Sequence, residues 1–405
     1  MAQRIEHMRK FRPEENALLI WNAAQARTAY ISGEELNVLE RWANNGVDNG
    51  FIARLKKLGL IADEDRCGVA TAIALSKDKK APPYSFCAPE SLHIELTGHC
   101  PLNCPQCYKG QTEPKSLDLS FLLSVIRQAE DMQVFQIALG GGEPLICPNL
   151  HLVIEEITRR GMASSITTSG YGLDKYVLDE LIWQGLNHIQ ISLNGSCEKI
   201  NSKSRDGYEY AIRALDLLKG SGISFGVNWV ARRDNIDDFA KFVDAMKEYN
   251  VDNINILRYK PSATEIYEEN CLPADKMALL ARVIKKSRGV KLKTDSAFAN
   301  MLCHLNQRTS FMSGCGAGRR FLAIDAEGFF RPCSHVPMKE KSDSISQVWY
   351  QSEHLHMFRS ISEKVGKPCA HCDYLHGCYG CRAVMQGIGG DFFDGDKECP
   401  MYLCE

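Results

Sequence analysis

The chain has 405 residues, a formal net charge of −2 and 44% hydrophobic residues. This length exceeds one ordinary hydrophobic core, so two or three domains are expected, and the near-neutral charge does not indicate a nucleic-acid partner. No apolar run of about 18 residues indicates a membrane span, and the N-terminus lacks the apolar segment of a secretory signal, so a cytoplasmic protein is expected.

Residues 1–75 are predicted to form a small winged-helix-like α+β module. LLIW (18–21) and TAYIS (28–32) have the composition of a β-hairpin, and Ser32 with Glu35 forms a capping-box pattern before a helix. A second amphipathic helix is predicted to stop at Gly59, before a short strand. The charged and proline-rich stretch 76–90 is predicted to be a linker.

Residues 91–300 are predicted to form an α/β domain, in which β-branched apolar runs alternate with amphipathic helices. Such alternation is typical of a parallel sheet with right-handed crossovers, and six repeats predict a partial (β/α)6 TIM barrel. Chemistry in such folds is found at the C-terminal ends of the strands. The predicted strands cover residues 92–96, 134–139, 163–168, 188–193, 223–230 and 253–259.

Residues 301–405 are predicted to form a third unit, which is rich in cysteine. Nine of the 17 cysteines lie in the last 103 residues, where apolar runs are few. In a reducing compartment such clustering indicates metal binding or catalysis rather than disulfides, so ligation is expected to replace a core. Five cysteines outside the clusters are predicted to be mostly buried apolar residues, namely Cys67, Cys87, Cys147, Cys197 and Cys271.

Cys100, Cys104 and Cys107 follow the first predicted barrel strand, at the end where chemistry is expected. Three thiolates hold three irons of a four-iron cluster and leave the fourth iron open for a substrate-like molecule. The alternative is a zinc site, which Cys147 or His99 would have to complete. The triad is therefore predicted to be both the metal site and the catalytic centre.

This cysteine spacing resembles that of the radical S-adenosylmethionine (SAM) superfamily, over roughly residues 90–300. GGGEP, which closes the second predicted strand, matches the family's segment for the methionine amino group. Glycines allow a close approach of the backbone, and a carboxylate can form a charge-assisted hydrogen bond with the ammonium group of methionine. The resemblance implies SAM contacts by Gly141, Gly142, Glu143 and Pro144.

Polar residues that end the third and fourth predicted strands match further SAM-contacting positions of the family, as does SRDG at 204–207. For the arginine of SRDG, an ordinary surface position is the alternative. The chain departs from the family at Gln106, where an aromatic residue is usual, and Tyr108 follows the third cysteine instead. The contacts implied by the resemblance are Thr168, Ser169, Ser192, Asn194 and Arg205.

Seven C-terminal cysteines occur in an order that resembles the SPASM extension, which carries auxiliary iron–sulfur clusters in radical SAM enzymes acting on peptides. The fourth iron of the second cluster is expected either to be bound by Cys303 or to stay open for substrate. The spacing between Cys378 and Cys381 is one residue shorter than is usual in the family. Two all-cysteine zinc sites are the alternative. The implied cluster ligands are Cys369, Cys372, Cys378 and Cys399 for one cluster and Cys315, Cys333 and Cys381 for the other.

The resemblance implies SAM and three [4Fe–4S] clusters as cofactors. A reduced cluster would pass one electron to the SAM sulfonium, which gives a 5′-deoxyadenosyl radical that abstracts hydrogen. MQVFQIALGGGEP and CGAGRRFLAIDAEGFFRPC look like segments of the mycofactocin and pyrroloquinoline quinone precursor maturases. The implied substrate is therefore a ribosomally made precursor peptide (RiPP), with a cross-link, epimer, decarboxylation or backbone excision as the product and flavodoxin or ferredoxin as the reducing partner.

The N-terminal module resembles the RiPP recognition element, which binds the leader of a precursor peptide, and such modules pair an extended peptide with a sheet edge. A structural cap or a DNA-binding winged helix is the alternative for this module. For the whole chain, the alternatives are a radical SAM enzyme of tetrapyrrole biosynthesis and an iron–sulfur sensor without turnover.

Overall fold

The computed structural model describes residues 8–24, 27–109, 115–261, 267–304, 314–396 and 399. The strands are β1 (Arg9–Glu14), β2 (Ala17–Asn22), β3 (Arg27–Ser32), β4 (Ser91–Thr97), β5 (Gln136–Gly141), β6 (Ala163–Thr168), β7 (His188–Ser192), β8 (Ser224–Ala231), β9 (Asn253–Arg258), β10 (Lys291–Thr294), β11 (Phe321–Ile324) and β12 (Phe330–Arg331).

The α-helices of the described residues alternate with the strands in the barrel domain or belong to the N-terminal and C-terminal units. They are α1 (Gly33–Asn45), α2 (Gly50–Lys57), α3 (Arg66–Ser76), α4 (Leu119–Asp131), α5 (Leu150–Arg159), α6 (Lys175–Trp183), α7 (Glu198–Asn201), α8 (Tyr208–Leu218), α9 (Phe239–Glu248), α10 (Tyr267–Asn270), α11 (Ala274–Lys286), α12 (Ala299–His304), α13 (Ile345–Gln351), α14 (Glu353–Arg359), α15 (Ile361–Lys364) and α16 (Arg382–Gly387).

One large sheet of nine strands organises the chain, in the order β10-β9-β8-β7-β6-β5-β4-β11-β12. Strands β4 to β10 run parallel, and β4 to β9 are the six strands predicted from the sequence. Residues such as Ile137, Ile189 and Ile254 are fully buried between this sheet and its helices, as expected for strands covered on both faces. The predicted α/β class and partial barrel are confirmed.

The sequence did not predict the strands β10, β11 and β12. Strand β11 pairs with β4 in parallel, from Phe321 opposite Ser91 to Ile324 opposite Ile94. The Cys-rich C-terminal region therefore extends the barrel sheet at its β4 edge. These strands have four residues or fewer, which is too short for a period-two pattern to be recognised.

The N-terminal unit has a three-stranded antiparallel sheet in the order β1-β2-β3, followed by α1, α2 and α3. The capping-box prediction is wrong, because Ser32 precedes α1 but its side chain makes no capping bond. The strand predicted after Gly59 is also wrong: Leu60 and Ile61 are buried in the module core, and α3 follows. Strand β1 was missed because its sequence, RKFRPE, is mostly charged.

The N-terminal unit is fixed to the lower end of the barrel, where β4 and β5 begin. Arg12 and Glu14 form a buried ion pair, and Arg12 also donates to the carbonyls of Ala88 and Pro89. The Trp21 ring stacks on Phe135 with a centroid distance of 5.5 Å. The module therefore packs at the end of the sheet opposite to the C-terminal ends of the strands.

Within the described part of the chain, no helix has both the length and the apolar character that crossing a bilayer requires.

Candidate active site

Cys100, Cys104 and Cys107 lie in the loop that follows β4, at the C-terminal end of the strand. They line a cavity of about 1520 Å³. The Cys107 N–H donates to the Cys104 carbonyl over 3.1 Å, which makes the loop turn between the second and third thiols. Burial raises the pKa of Cys100, and the neighbouring Cys104 and Glu143 raise it further. The structure thus brings the three predicted thiols to one cavity wall.

The glycines of GGGEP allow the loop after β5 to lie directly against the cysteine loop. A Cβ on Gly141 would lie 2.4 Å from the Thr97 carbonyl oxygen, and one on Gly142 would lie 1.9 Å from that of His99. The Gly142 N–H donates to Thr97 over 2.7 Å. The close approach that the glycines permit is therefore to the cysteine loop itself, and any side chain would force the two loops apart.

Glu143 is a buried carboxylate whose two oxygens are fully engaged. One oxygen accepts from Thr168 Oγ1 at 2.6 Å and from the Leu145 N–H at 3.1 Å. The other accepts from the Ser169 N–H at 2.9 Å and from its hydroxyl. Four donors therefore hold the carboxylate in one orientation at the cavity wall, and they tie the GGGEP loop to the end of β6.

The remaining predicted SAM contacts divide into two groups. Ser192 and Arg205 line the cavity with the residues already described, whereas Pro144 and Asn194 do not. Asn194 is fully buried: its side chain accepts from the Val230 N–H and donates to Ser204, so it ties β7 to its neighbours.

Tyr108 and His335 form a contact across the cavity that the sequence did not predict. The Tyr108 ring lies 4.1 Å from the His335 ring between centroids, and its hydroxyl donates to Glu95 over 2.9 Å. Lys109 pairs with the second Glu95 oxygen at 2.8 Å. Burial, with Glu95 second, raises the pKa of Tyr108 well above its ordinary value. The only sequence signal was an aromatic residue directly after the third cysteine.

The part of the cavity wall that comes from the C-terminal region, the C-terminal wall, carries Cys315, Cys333 and Cys381. Burial raises the pKa of Cys315 to about 11 and that of Cys333 to about 12, and charge on the other thiols of the set adds to both shifts. His335 donates its N–H to the Cys333 sulfur over 3.5 Å. The structure thus brings together the three cysteines that the resemblance assigned to one cluster.

The other predicted set lies outside the cavity. Charge on Cys378 contributes to the raised pKa of Cys369, for which burial is the main cause, and the Cys372 N–H donates to the Cys369 carbonyl. Asp396 donates its N–H to the Cys369 sulfur, and the Cys399 N–H donates to the Asp396 carbonyl. Cys303 lies in α12, but its side chain lies outside the described residues.

No group of three or more His, Cys, Asp and Glu in the described ranges is arranged to hold a single metal ion. Cysteine-ligated clusters contain several irons, and their thiolates each bind a different one. Thiols that hold such a cluster need not converge on one point, so the predicted clusters do not require a single-ion site.

Two ion pairs, one half-buried and one buried, border the C-terminal wall, and no local signal in the sequence identifies them. Lys260 pairs with Asp295 at 2.8 Å; burial acts to lower the pKa of Lys260, but Asp295 and Cys381 outweigh it and raise the pKa. Arg258 pairs with Asp396 through two bonds of 2.6 and 3.0 Å. Their partners lie 35 and 138 residues apart in the chain, so only the fold pairs them.

The residues fit a polar ligand beside a thiolate-held cluster. Gln106 Oε1 and Arg205 Nε are buried without a hydrogen-bond partner in the described structure, and both residues line the cavity. The Gln106 N–H donates to the carbonyl of Ser204, so the two unsatisfied atoms belong to neighbouring segments. Buried polar groups of this kind are normally satisfied by a ligand or water.

Residues 94–256 match the model of the Radical SAM superfamily. The chain carries a radical SAM domain. A curated relative, PqqA peptide cyclase of Gluconobacter oxydans (strain 621H), is 26% identical over 335 residues, which cover 77% of this chain and 91% of the relative. The radical SAM domain implies SAM and a [4Fe–4S] cluster as cofactors, and the expectation of a radical SAM enzyme is confirmed.

Solved structures share the architecture around this domain. Streptococcus suis SuiB bound to S-adenosylmethionine has a TM-score of 0.73 at 18% identity, with 96% of this chain and 98% of that chain covered. Native anSMEcpe with bound AdoMet has a TM-score of 0.64 at 17% identity, with 77% and 95% covered. These structures show the fold alone. Together with the domain match and the curated relative, the resemblance to radical SAM peptide maturases that the sequence indicated is confirmed.

The prediction that the five isolated cysteines are mostly buried is only partly right. Cys87 and Cys271 are buried and Cys147 is half-buried, whereas Cys67 and Cys197 are exposed. Cys67 lies at the start of α3, and Cys197 immediately precedes α7. Both side chains face solvent at a helix N-terminus, which apolar composition alone does not reveal.

Replacing Glu143 by Gln is expected to weaken SAM binding. The new NH₂ group would face donors from Thr168 and Leu145, or from Ser169, and a buried donor without an acceptor costs about 1–3 kcal/mol. SAM affinity of the reduced protein, followed by the change in the cluster's resonance signal, should fall by roughly tenfold or more. The same change at Glu155, which is exposed on α5, is the control, and equal affinities in the two variants would contradict the prediction.

Proposed function

We propose that the chain is a radical SAM peptide maturase, which modifies a residue of a ribosomally made precursor peptide. The observation that carries this proposal is the single cavity that both cysteine triads line. At about 1520 Å³ the cavity exceeds the usual 300–1,000 Å³ of small-molecule sites, so it has room for a peptide segment beside SAM. The product is a cross-link, an epimer, a decarboxylated residue or an excised backbone.

The relatives support a peptide substrate. The curated relative is a peptide cyclase for PqqA. Solved structures of the same fold contain SuiB with the precursor peptide SuiA and anSMEcpe with the Cp18Cys peptide. A chain with the same domain and a cavity of this size is best explained by the same class of substrate.

In this proposal Cys100, Cys104 and Cys107 hold the SAM-binding cluster, and the C-terminal cysteines hold two auxiliary clusters. When bound and reduced, the cluster and SAM supply reductive cleavage of a carbon–sulfur bond and hydrogen abstraction. Glu143, held by four donors, keeps the GGGEP loop in place against the end of β6. Arg205, whose buried Nε has no hydrogen-bond partner in the described structure, lines the same cavity. Tyr108 and His335 join the two walls and help to exclude water. A flavodoxin or ferredoxin supplies the electron.

The N-terminal module is proposed to bind the leader at β3. Strands β1 and β3 are the edges of the module sheet, but β1 contains the buried Arg12 and Glu14 that dock on the barrel. Most of β3 is exposed or half-buried, and an edge strand offers unpaired N–H and C=O groups to an extended peptide. Strand β3 is therefore the accessible edge.

The leader site and the cavity lie at opposite ends of the barrel sheet. Strand β4, which separates the docking residues from the cysteine loop, has seven residues, or roughly 23 Å. An extended peptide covers at most about 3.6 Å per residue. The precursor therefore needs at least about seven residues between its leader contact and the modified residue.

The function is tested by co-expressing the chain with short peptides encoded next to its gene and by mass spectrometry of the recovered peptides. We expect a modified peptide, with deuterium incorporation from solvent as the readout for an epimer. In parallel, reduced protein should form 5′-deoxyadenosine from SAM. A protein that binds SAM but yields no 5′-deoxyadenosine under reducing conditions would contradict the proposal and favour a sensor.

Proline at Thr28 and, in a second variant, at Ala29 tests the leader site. Successive strand residues direct their N–H groups alternately toward β2 and outward, so one variant removes only an outward N–H. We expect the variant that keeps the wild-type melting temperature to process full-length precursor at least tenfold more slowly. Its formation of 5′-deoxyadenosine in the absence of peptide should be unchanged. Wild-type processing by that variant would exclude β3 as the leader site.

A further inference from the structure

His93 is a histidine in the middle of β4 that lines the cavity. Residues two apart on a strand share one face, so His93 lies on the same face as Glu95, which also lines the cavity. The imidazole stacks on the Phe321 ring, with a centroid distance of 4.6 Å and an angle of 7° between the ring planes. The stack therefore fixes the plane of the imidazole at the cavity wall.

Neither ring nitrogen of His93 has a hydrogen-bond partner among the described residues. The two nitrogens are also not enclosed by protein atoms, unlike the unpartnered Gln106 Oε1 and Arg205 Nε. Desolvation by the surrounding protein lowers the pKa of His93 to about 4, so the imidazole is neutral near neutral pH. A neutral imidazole carries one N–H donor and one nitrogen acceptor. His93 therefore offers the cavity a donor and an acceptor that the described chain leaves unused.

The neighbouring strand leaves open space beside this imidazole. In the parallel pairing of β4 with β5, Ala138 lies opposite His93 and Gly140 lies opposite Glu95. A Cβ on Gly140 would have no neighbouring atom within 4 Å. Ala138 and Gly140 both line the cavity. The two small residues of β5 therefore leave room for part of a ligand next to His93.

The carboxylate beside His93 on the same strand face is already engaged. Glu95 accepts from the Tyr108 hydroxyl at 2.9 Å and pairs with Lys109 at 2.8 Å. Its charge is thus balanced locally, and its oxygens already have donors. A charged ligand group placed beside it would lack a counter-charge, which is costly away from bulk water. These surroundings favour an uncharged polar group, with His93 as its hydrogen-bond partner.

We propose that His93 is a specificity-determining residue, which hydrogen-bonds an uncharged polar side chain at the modified position of the peptide. The inference rests on the proposed function, because it takes the ligand of the cavity to be a peptide. Strand β4 leads into the loop of the first cysteine set, and Phe321 belongs to the C-terminal region, so His93 lies where the two regions meet. A site built to hydrogen-bond a substrate group discriminates strongly against analogues that lack it. Hydroxyl, phenol, indole and amide side chains are therefore accepted in preference to aliphatic ones.

The test compares His93→Phe with His93→Asn and His93→Gln in the full-length holoprotein, with the precursor recovered by co-expression as the substrate. Phenylalanine keeps an aromatic ring for the stack but removes both nitrogens, whereas asparagine and glutamine keep polar atoms near the Nδ1 and Nε2 positions. In His93→Phe, kcat/KM for the precursor should fall by about tenfold or more, and more 5′-deoxyadenosine should form per modified peptide. Asparagine or glutamine should recover part of the loss.

His188→Phe is the matched control. His188 lies on β7, its ring nitrogens bond to Ser224 at 2.8 Å and to Gln190 at 2.7 Å, and it does not line the cavity. Its loss should reduce stability without changing kcat/KM for the precursor. Wild-type kcat/KM in His93→Phe, or equal losses in His93→Phe and His188→Phe, would overturn the inference.

Diethyl pyrocarbonate, which acylates accessible neutral imidazoles, gives a readout that needs no turnover. Mass spectrometry of the modified wild-type holoprotein should show faster reaction at His93 than at His188, and the precursor peptide should protect His93. Lack of reaction at His93 while His356, which is exposed on α14, is acylated would overturn the inference.

The chemistry of the modified residue separates failure of this inference from failure of the proposed function. A modified aliphatic, phenylalanine or charged residue would overturn the role of His93 and leave the peptide maturase intact. Formation of 5′-deoxyadenosine without modification of any peptide would remove the peptide maturase and, with it, this role of His93.

Discussion

Replacing Cys100, Cys104 and Cys107 together by alanine is expected to reduce 5′-deoxyadenosine formation to background. The three thiols share one loop at the C-terminal end of β4 and line the cavity beside Arg205 and Glu143. Without them no iron can be held open to SAM at this wall. The measurement is product formation by reduced protein, together with iron and sulfide content.

The loss should be confined to one site. About four irons per chain should disappear with the triad, while the iron of the C-terminal cysteines is retained. Cys197→Ala is the matched control, since Cys197 is an exposed cysteine of the same domain and does not line the cavity. Retained SAM cleavage in the triple variant, or loss of all iron, would contradict the assignment.

Replacing Arg258 by Met is expected to be the most destabilising single change outside the cysteines. Arg258 and Asp396 are 4% and 1% exposed in their side chains, and their pair joins the end of β9 to the C-terminal Cys-rich region. Removing one member of a buried pair leaves the other charge unpaired and typically costs 3–5 kcal/mol. The decrease in the free energy of unfolding should be measured from the denaturation midpoint of the holoprotein, and the auxiliary iron content should be measured in the same samples.

A double variant separates the pair from its surroundings. Arg258→Met with Asp396→Leu should be less destabilised than Asp396→Leu alone, because the single change removes the carboxylate that accepts two hydrogen bonds from the buried Arg258 guanidinium. Lys175→Met on the exposed Lys175–Asp179 pair of α6 is the surface control, with an expected effect of about 0.5 kcal/mol or less. An equal decrease in the free energy of unfolding for Arg258→Met and Lys175→Met would contradict the role of the Arg258–Asp396 pair in joining β9 to the C-terminal region.

The sequence predicted the barrel and the position of the cysteine loop after its first strand because those signals are local. Strand β6 was predicted residue for residue over 163–168, since its β-branched run has clear limits. The cysteine loop and GGGEP could be placed because each directly follows a strand, and parallel strands end at the same edge. In the N-terminal module the hairpin and two helices were predicted, the cap at Ser32 and the strand after Gly59 were wrong, and β1 and α3 were missed.

The features that only the structure revealed depend on contacts between distant segments. Tyr108 meets His335, and β11 pairs with β4, across more than two hundred residues of chain. The position of the module at the lower end of the barrel follows from Arg12 reaching carbonyls before β4 and β5. No spacing rule predicts such contacts, because each element could satisfy its local pattern without them.

By itself, the sequence determined that three cysteines follow the first barrel strand and that a Cys-rich unit follows the barrel, since strand periodicity and cysteine spacing are patterns of residues close together in the chain. Only the tertiary structure decided that both cysteine sets line one cavity and that Arg258, at the edge of this cavity, pairs with Asp396. The physical reason is that burial and charge balance are properties of packed neighbours, and the chain brings these neighbours together only when the sheet closes around them.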